Sequence, residues 1–311
     1  MKVSISVEHL VNGSGITGVA SCGPLAAICG RGHCNDLTVS TTLQSVAFGT
    51  EPGLAPLSAP ATIEEWWLSA VALGGQGRYA QARAALNVVD RRTAGLAADG
   101  DCVYASLSAS TRASFLRQTG WHGKASYDDG RALAIVAGRG DSPELVAAAC
   151  DALTGLAADA LGQGRLALGW RLLERCAEQI NRLEGESARL WRQVIRLEWV
   201  SAELALASGD FTRALRHAER AVELAAGGDS LRHKVKSDLL RCAALTGFDP
   251  VQAAMLAGEV FDECRSSGLL PLAWASSMLI EGVSGSPTTP NSAALGAAVA
   301  ARGGVFRELS L

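Results

Sequence analysis

SAELALASGDFTRALRHAERAVEL, residues 201–224, decides the fold. Apolar residues recur at helical spacing on both sides of Gly209. Gly209 ends one helix, because the position after the last turn favours a left-handed backbone. Asp210 follows and can accept from the free amides of a second helix. Phe211 fills the angle between the two helices. Ala202, Ala205, Ala214, Ala218 and Ala221 are small enough to let the helices approach closely. The stretch reads as a helical hairpin.

The same punctuation recurs along the chain. It runs from Gly77 to Ala82, from Gly120 to Ala125, from Gly164 to Gly169, and from Gly247 to Ala253 with one extra residue. Successive glycines lie 43, 44, 45 and 38 residues apart. A small residue stands seven positions before each one (Ala70, Ala113, Ala157, Ala202), with Leu240 as the exception. Ala132, Cys176, Ala221 and Val260 follow at a further constant offset. Such hairpins bury their faces by stacking on neighbours.

Over residues 63–267 this pattern resembles the tetratricopeptide repeat. It departs from it in two ways: the closing proline is absent, and the period exceeds ~34 residues. The resemblance implies an all-α fold, an α-α superhelix of about five stacked helical hairpins. An unrelated all-helical bundle is the alternative. Helices are expected near 64–74, 78–91, 102–119, 121–138, 143–163, 165–184, 186–208, 210–226, 230–247, 250–267 and 271–283. A short helix is expected at 293–301 and a loose end from Gly303. The domain organisation is then a low-complexity, disordered segment at 1–62, the repeat domain at 63–283, and a linker and tail at 284–311.

The chain has 311 residues, 48% of them apolar and 19% charged, with net charge −3. That balance argues against a generally basic nucleic-acid binder and against a polybasic membrane protein. Charges interrupt the apolar runs, so no membrane span is expected. Arg greatly outnumbers Lys, with only Lys2, Lys124, Lys234 and Lys236. With so much Ala and Gly, this reads as a GC-rich bacterial genome. Five of the eight cysteines (Cys102, Cys150, Cys176, Cys242, Cys264) stand singly in Ala/Leu-rich stretches, as buried hydrophobes of a reduced, cytoplasmic protein do.

Residues 1–62 lack periodicity, as a start placed too far upstream would also look. Gly13–Gly18 has the G-x-G-x-x-G spacing, but Pro24 interrupts the helix that a dinucleotide site needs. Cys22, Cys29, His33 and Cys34 are candidate metal ligands, although adjacent ligands fit a tetrahedral zinc site awkwardly. They read as unpaired thiols and a loose histidine. Val19–Cys22 resembles a lipobox but lacks an apolar stretch before it.

No catalytic constellation stands out. There is no H-E-x-x-H, P-loop or G-x-S-x-G, and no cofactor is expected. Asp128 and Asp129 are adjacent, so on a helix they point about 100° apart and read as solvated surface. Function then rests on surfaces. Residues 189–241 carry a net +3 between segments of −2 and −3. Arg189, Arg192 and Arg196 form one helical stripe near Trp199, and Arg232, His233, Lys234 and Lys236 crowd a helix start, where cations oppose the dipole. Carried over residue by residue, the resemblance places Arg117, Arg196, Trp199, Glu203, Lys234 and Arg241 on a concave binding groove. Two readings follow. One is a non-catalytic scaffold or adaptor that binds a protein segment or acidic peptide in that groove, without nucleic acid or membrane. The other is a ligand-responsive sensor or regulatory domain of a bacterial signalling or transcriptional system. The apolar helix at 271–283 either caps the array or docks on a second copy.

Overall fold

A computed structural model describes residues 43–55, 59–95, 99–183, 185 and 187–307. Among the described residues every element is helical, with no strand. The helices are α1 (Leu43–Phe48), α2 (Ile63–Gly75), α3 (Tyr79–Thr93), α4 (Asp99–Gln118), α5 (His122–Val136), α6 (Pro143–Gly162) and α7 (Leu166–Arg182). After a 3₁₀ turn at Ser187–Leu190 come α8 (Trp191–Ala207), α9 (Phe211–Ala226), α10 (Leu231–Leu245), α11 (Pro250–Ser266), α12 (Leu270–Ser284) and α13 (Ser292–Ala301). From α2 onward they pack as six consecutive pairs, one more than the sequence pattern suggested.

The turns follow from the glycines. Gly77, Gly120, Gly164 and Gly209 have φ of 72°, 86°, 73° and 75°, and a side chain there would be strained. In each case the next amide reaches back five residues. Arg78 N donates to Leu73 O (2.8 Å), Trp121 to Leu116 (2.9 Å), Arg165 to Ala160 (2.7 Å) and Asp210 to Ala205 (3.0 Å). This satisfies carbonyls that the helix end would otherwise leave open. Helix starts are capped as their sequences imply. Asp210 accepts from Arg213 N and Asp249 from Gln252 N, each at 2.9 Å. Thr62 and Glu65 form a reciprocal capping box.

The α10–α11 turn differs. Gly247 is not left-handed; it is needed because a Cβ there would sit 2.2 Å from the Phe211 ring. Its place in the repeat therefore marks a close approach and carries no equivalent helix-end geometry.

The small residues at the recurring spacing sit between helices. Ala70, Ala82, Ala113, Ala125, Ala157, Ala202 and Ala214 are wholly buried. Around them Leu86, Leu161, Leu204, Leu206, Leu239 and Leu279 are fully enclosed. Each such leucine contributes about 1.5–3 kcal/mol of burial. Among the described residues one helix, α6, is long and apolar enough to cross a membrane, contrary to the reading that charges interrupt every run, but it is mostly buried, as a core helix is.

Two expectations about the chain ends are corrected. Part of the segment expected to be disordered is ordered. Leu43, Val46, Ala47 and Phe48 of α1 are buried against α2 and α10. The chain after α1 is pinned through its carbonyls. Leu231 N donates to Gly49 O at 3.1 Å, and Gln76 Nε2 donates to Pro52 O and Leu54 O at 2.8 and 2.9 Å. A Cβ on Gly53 would meet the Ser267 carbonyl at 2.6 Å, so this segment is fitted closely to the α11–α12 turn.

The described part of the tail is also held. Trp121 Nε1 donates to Val305 O (2.7 Å), Arg307 N to Thr119 O (2.9 Å) and Arg83 to Gly303 O (2.9 Å). Phe306 packs edge-on against Trp274. The last pair thus reaches the turns of the first two pairs, with Ala80 N donating to Arg302 O at 3.0 Å. The apolar α12 is covered by α11, α13 and this tail.

Candidate functional site

The first helix of each pair, α2, α4, α6, α8, α10 and α12, contributes to the wall of one cavity of about 230 Å³, and Phe48 of α1 joins them. Its apolar wall includes Trp67, Leu107, Phe115, Trp199 and Trp274. Its charged wall holds five cations, Arg117, Arg192, Arg196, Arg232 and Lys236, against two carboxylates, Asp151 and Glu203.

Each charge can be followed to its partner. Asp151 of α6 takes both Arg192 (2.5 Å) and Arg196 (3.1 Å) of α8, and also accepts from Gln193 (3.1 Å). Glu203 lies 3.4 Å from Lys236 Nζ, which sits 4.7 Å from the Trp199 ring centroid. Arg117 is claimed from behind the wall by Asp129 of α5 and by Asp159 of α6 (2.9 Å). Burial pushes the Asp129 carboxyl well up, and Asp159 adds to that push while Arg117 opposes it. Asp129 is therefore no solvated surface residue, as its sequence position had suggested.

Arg232, in the first turn of α10, has no carboxylate paired with it among the described residues. Desolvation, followed by the positive charges of Arg192 and Arg196, pushes its pKa down to about 10. Its guanidinium and that of Arg192 lie 5.6 and 4.9 Å from the centroid of Phe48. Beside it, His233 is enclosed by Trp191 and stacked on Trp199 at 5.0 Å. Ser230 Oγ lies 2.7 Å from its Nδ1. Burial, then Arg232, Arg192, Arg196 and Lys236, hold this imidazole well below the usual histidine range, so it is neutral near pH 7.

Of the six groove residues expected from the sequence, Arg117, Arg196, Trp199 and Glu203 line the cavity. Lys234 and Arg241 do not. They are only partly buried, and Arg241 pairs with Asp238 at 2.8 Å. Their assignment took its register from Gly247, whose turn is unlike the other four; α10 instead turns Arg232, His233 and Lys236 inward. Trp199 is no free anchor, since one face stacks on His233 and its N–H donates to Ser237 at 2.8 Å. The basic stripe is largely matched: Arg189 pairs with Glu144, and Arg192 and Arg196 pair with Asp151. The sequence signal for the missed residues was the run of cations at the start of α10. Nothing pointed to Phe48.

Cys22, Cys29, His33 and Cys34, and the glycines at 13–18, lie outside the described residues. Among the described residues no group of three or more His, Cys, Asp or Glu is placed to hold a metal. Cys102, Cys150, Cys176, Cys242 and Cys264 are buried free thiols, as their settings implied. No protein-family model, curated protein or solved structure matches this chain.

Proposed function

We propose that this chain is a non-catalytic ligand-binding module, a tetratricopeptide-like superhelix whose central pocket takes a small molecule. It would serve as the sensor or regulatory domain of a bacterial signalling system in a reducing cytoplasm. One observation carries this reading: a single cavity gathers a wall residue from the first helix of all six pairs, together with Phe48 of α1. A peptide groove would need a free inner face, and here Phe48 of the same chain takes part of that wall. Binding without catalysis fits the two pocket carboxylates, each held in ion pairs with cations. The superhelical assignment is supported by the four matching glycine turns and by the wholly buried alanines between the helices.

The test is a thermal-shift screen of small metabolites on the full chain and on Ser114→Trp. Ser114 is a half-buried residue of the cavity wall, so an indole there would fill the space. Ligands that raise the melting temperature of the native chain and not of Ser114→Trp are expected. A library without a stabilising ligand, or ligands indifferent to Ser114→Trp, would refute the pocket.

A second reading, a protein-interaction scaffold or self-associating module, is favoured by one feature. Val251 and Met255, at i and i+4 on α11, and Phe248 in the turn before it are exposed apolar side chains, Val251 82% exposed. Sedimentation of the native chain beside Val251→Asp would show a shift in mass only if those side chains carry contacts.

A further inference from the structure

We propose that the pocket binds a small organic anion, a carboxylate or phosphate monoester on a flat apolar body, with Arg232 as its anchoring cation. The proposal rests on the pocket reading above and names the ligand's chemistry.

The charge pattern carries it. Arg192 and Arg196 share the single carboxylate of Asp151, which leaves one positive charge over. Lys236 and Glu203 balance one another. Arg232 has no carboxylate paired with it among the described residues, and the positive charges of Arg192 and Arg196 act on it. The cavity wall therefore holds about two unmatched positive charges on partly buried side chains. A partly buried cation without a partner carries a desolvation cost that a bound anion offsets. The guanidinium fork matches the two oxygens of a carboxylate or phosphate. An anion beside Arg232 would neutralise the excess and relieve the repulsion among the three arginines.

The rest of the wall sets the ligand's body. Phe48, Trp67 and Trp199 present aromatic surface to the same space. A cavity of about 230 Å³ lies below the ~300–1,000 Å³ of drug-sized pockets, which limits the ligand to a small, flat molecule. His233 is neutral beside the arginines and adds no competing charge.

The experiment compares anions with neutral isosteres by calorimetry and thermal shift at constant ionic strength. The probes are benzoate and phenyl phosphate against benzamide and benzyl alcohol. The chains are the full native protein, Arg232→Met, and Arg165→Met as an exposed control. The native chain should bind at least one anion and neither neutral probe. Arg232→Met should lose at least about tenfold in anion affinity, the worth of one charge-assisted hydrogen bond. Arg165→Met should bind as the native chain does. Urea unfolding of Arg232→Met confirms that it remains folded. Neutral probes that bind as well as the anions, or an Arg232→Met chain that holds the anion unchanged, would overturn the anion proposal and leave the pocket standing. Failure of every probe at millimolar concentration would overturn it as well, and Ser114→Trp would then decide separately on the pocket.

Discussion

Replacing Arg232 by methionine should stabilise the ligand-free protein. In the folded chain burial and the neighbouring arginines push the pKa of its guanidinium down to about 10. That fall is a cost of about 3 kcal/mol for holding the charge, at ~1.4 kcal/mol per pH unit. The native state gives up this proton more readily than the unfolded chain. Stability therefore rises as pH climbs above about 10. At pH 7 the cost is present in full. Methionine keeps an unbranched stem of similar length, so packing is largely retained. It forfeits a cation–π contact with Phe48, worth ~0.5–2 kcal/mol. The net expectation is a gain of about 1–2 kcal/mol. The assay is urea unfolding at pH 7, followed by tryptophan fluorescence, with Arg165→Met as a control expected within ~0.5 kcal/mol of the native chain. A loss of ~1 kcal/mol or more in Arg232→Met would refute the account of an unmatched cation.

Three more outcomes follow from the structure. Stability should decline as pH falls below 6.5, by at most about 1.4 kcal/mol per unit, because the unfolded chain then protonates His233 while the native pocket keeps it neutral; His233→Gln should flatten that slope in thermal melts from pH 8 to 5. Gly247→Ala should cost about 1–3 kcal/mol, since its Cβ would meet the Phe211 ring at 2.2 Å, and Phe211→Leu should restore part of the loss in the double variant. Arg117→Met should cost about 3–5 kcal/mol by leaving Asp129 and Asp159 buried without their cation, whereas Asp129→Asn, which replaces a carboxyl already pushed toward its neutral form, should cost less than half as much in chemical denaturation.

The helices and most of the turns were legible because their signals are local. A left-handed glycine, a capping aspartate and a run of alanines act within a few residues of one another, and the expected spans at 64–74 and 143–163 became 63–75 and 143–162. The departures came from contacts distant in sequence. α1 is six residues long, too short to show a helical period, and its burial depends on α2 and α10. The tail at 303–307 has little pattern of its own and is held by Thr119, Trp121 and Arg83. The site was legible on α4 and α8, where a true helix-end glycine set the register. It failed on α10, where Gly247 keeps its place in the spacing for a different physical reason. The cations of α10 were visible as an unfavourable cluster at a helix start. Which of them faced inward depended on how α10 packs.

The hydrogen bonds that tie the last pair to the first have a consequence for how this architecture can change over time. A row of helical pairs with free ends can lengthen or shorten by duplication or loss, since each new pair meets a surface like the one it replaced. Here Arg302 and Gly303 bond to Ala80 and Arg83, and Gly53 is pressed against Ser267. A seventh pair inserted between them would part those contacts, and a chain with one pair fewer would not bring the same residues together. The number of pairs is thereby fixed by closure. Variation is left to the outward helices and to the few side chains on the cavity wall, and substitutions there can alter what is bound without disturbing the fit of the two ends.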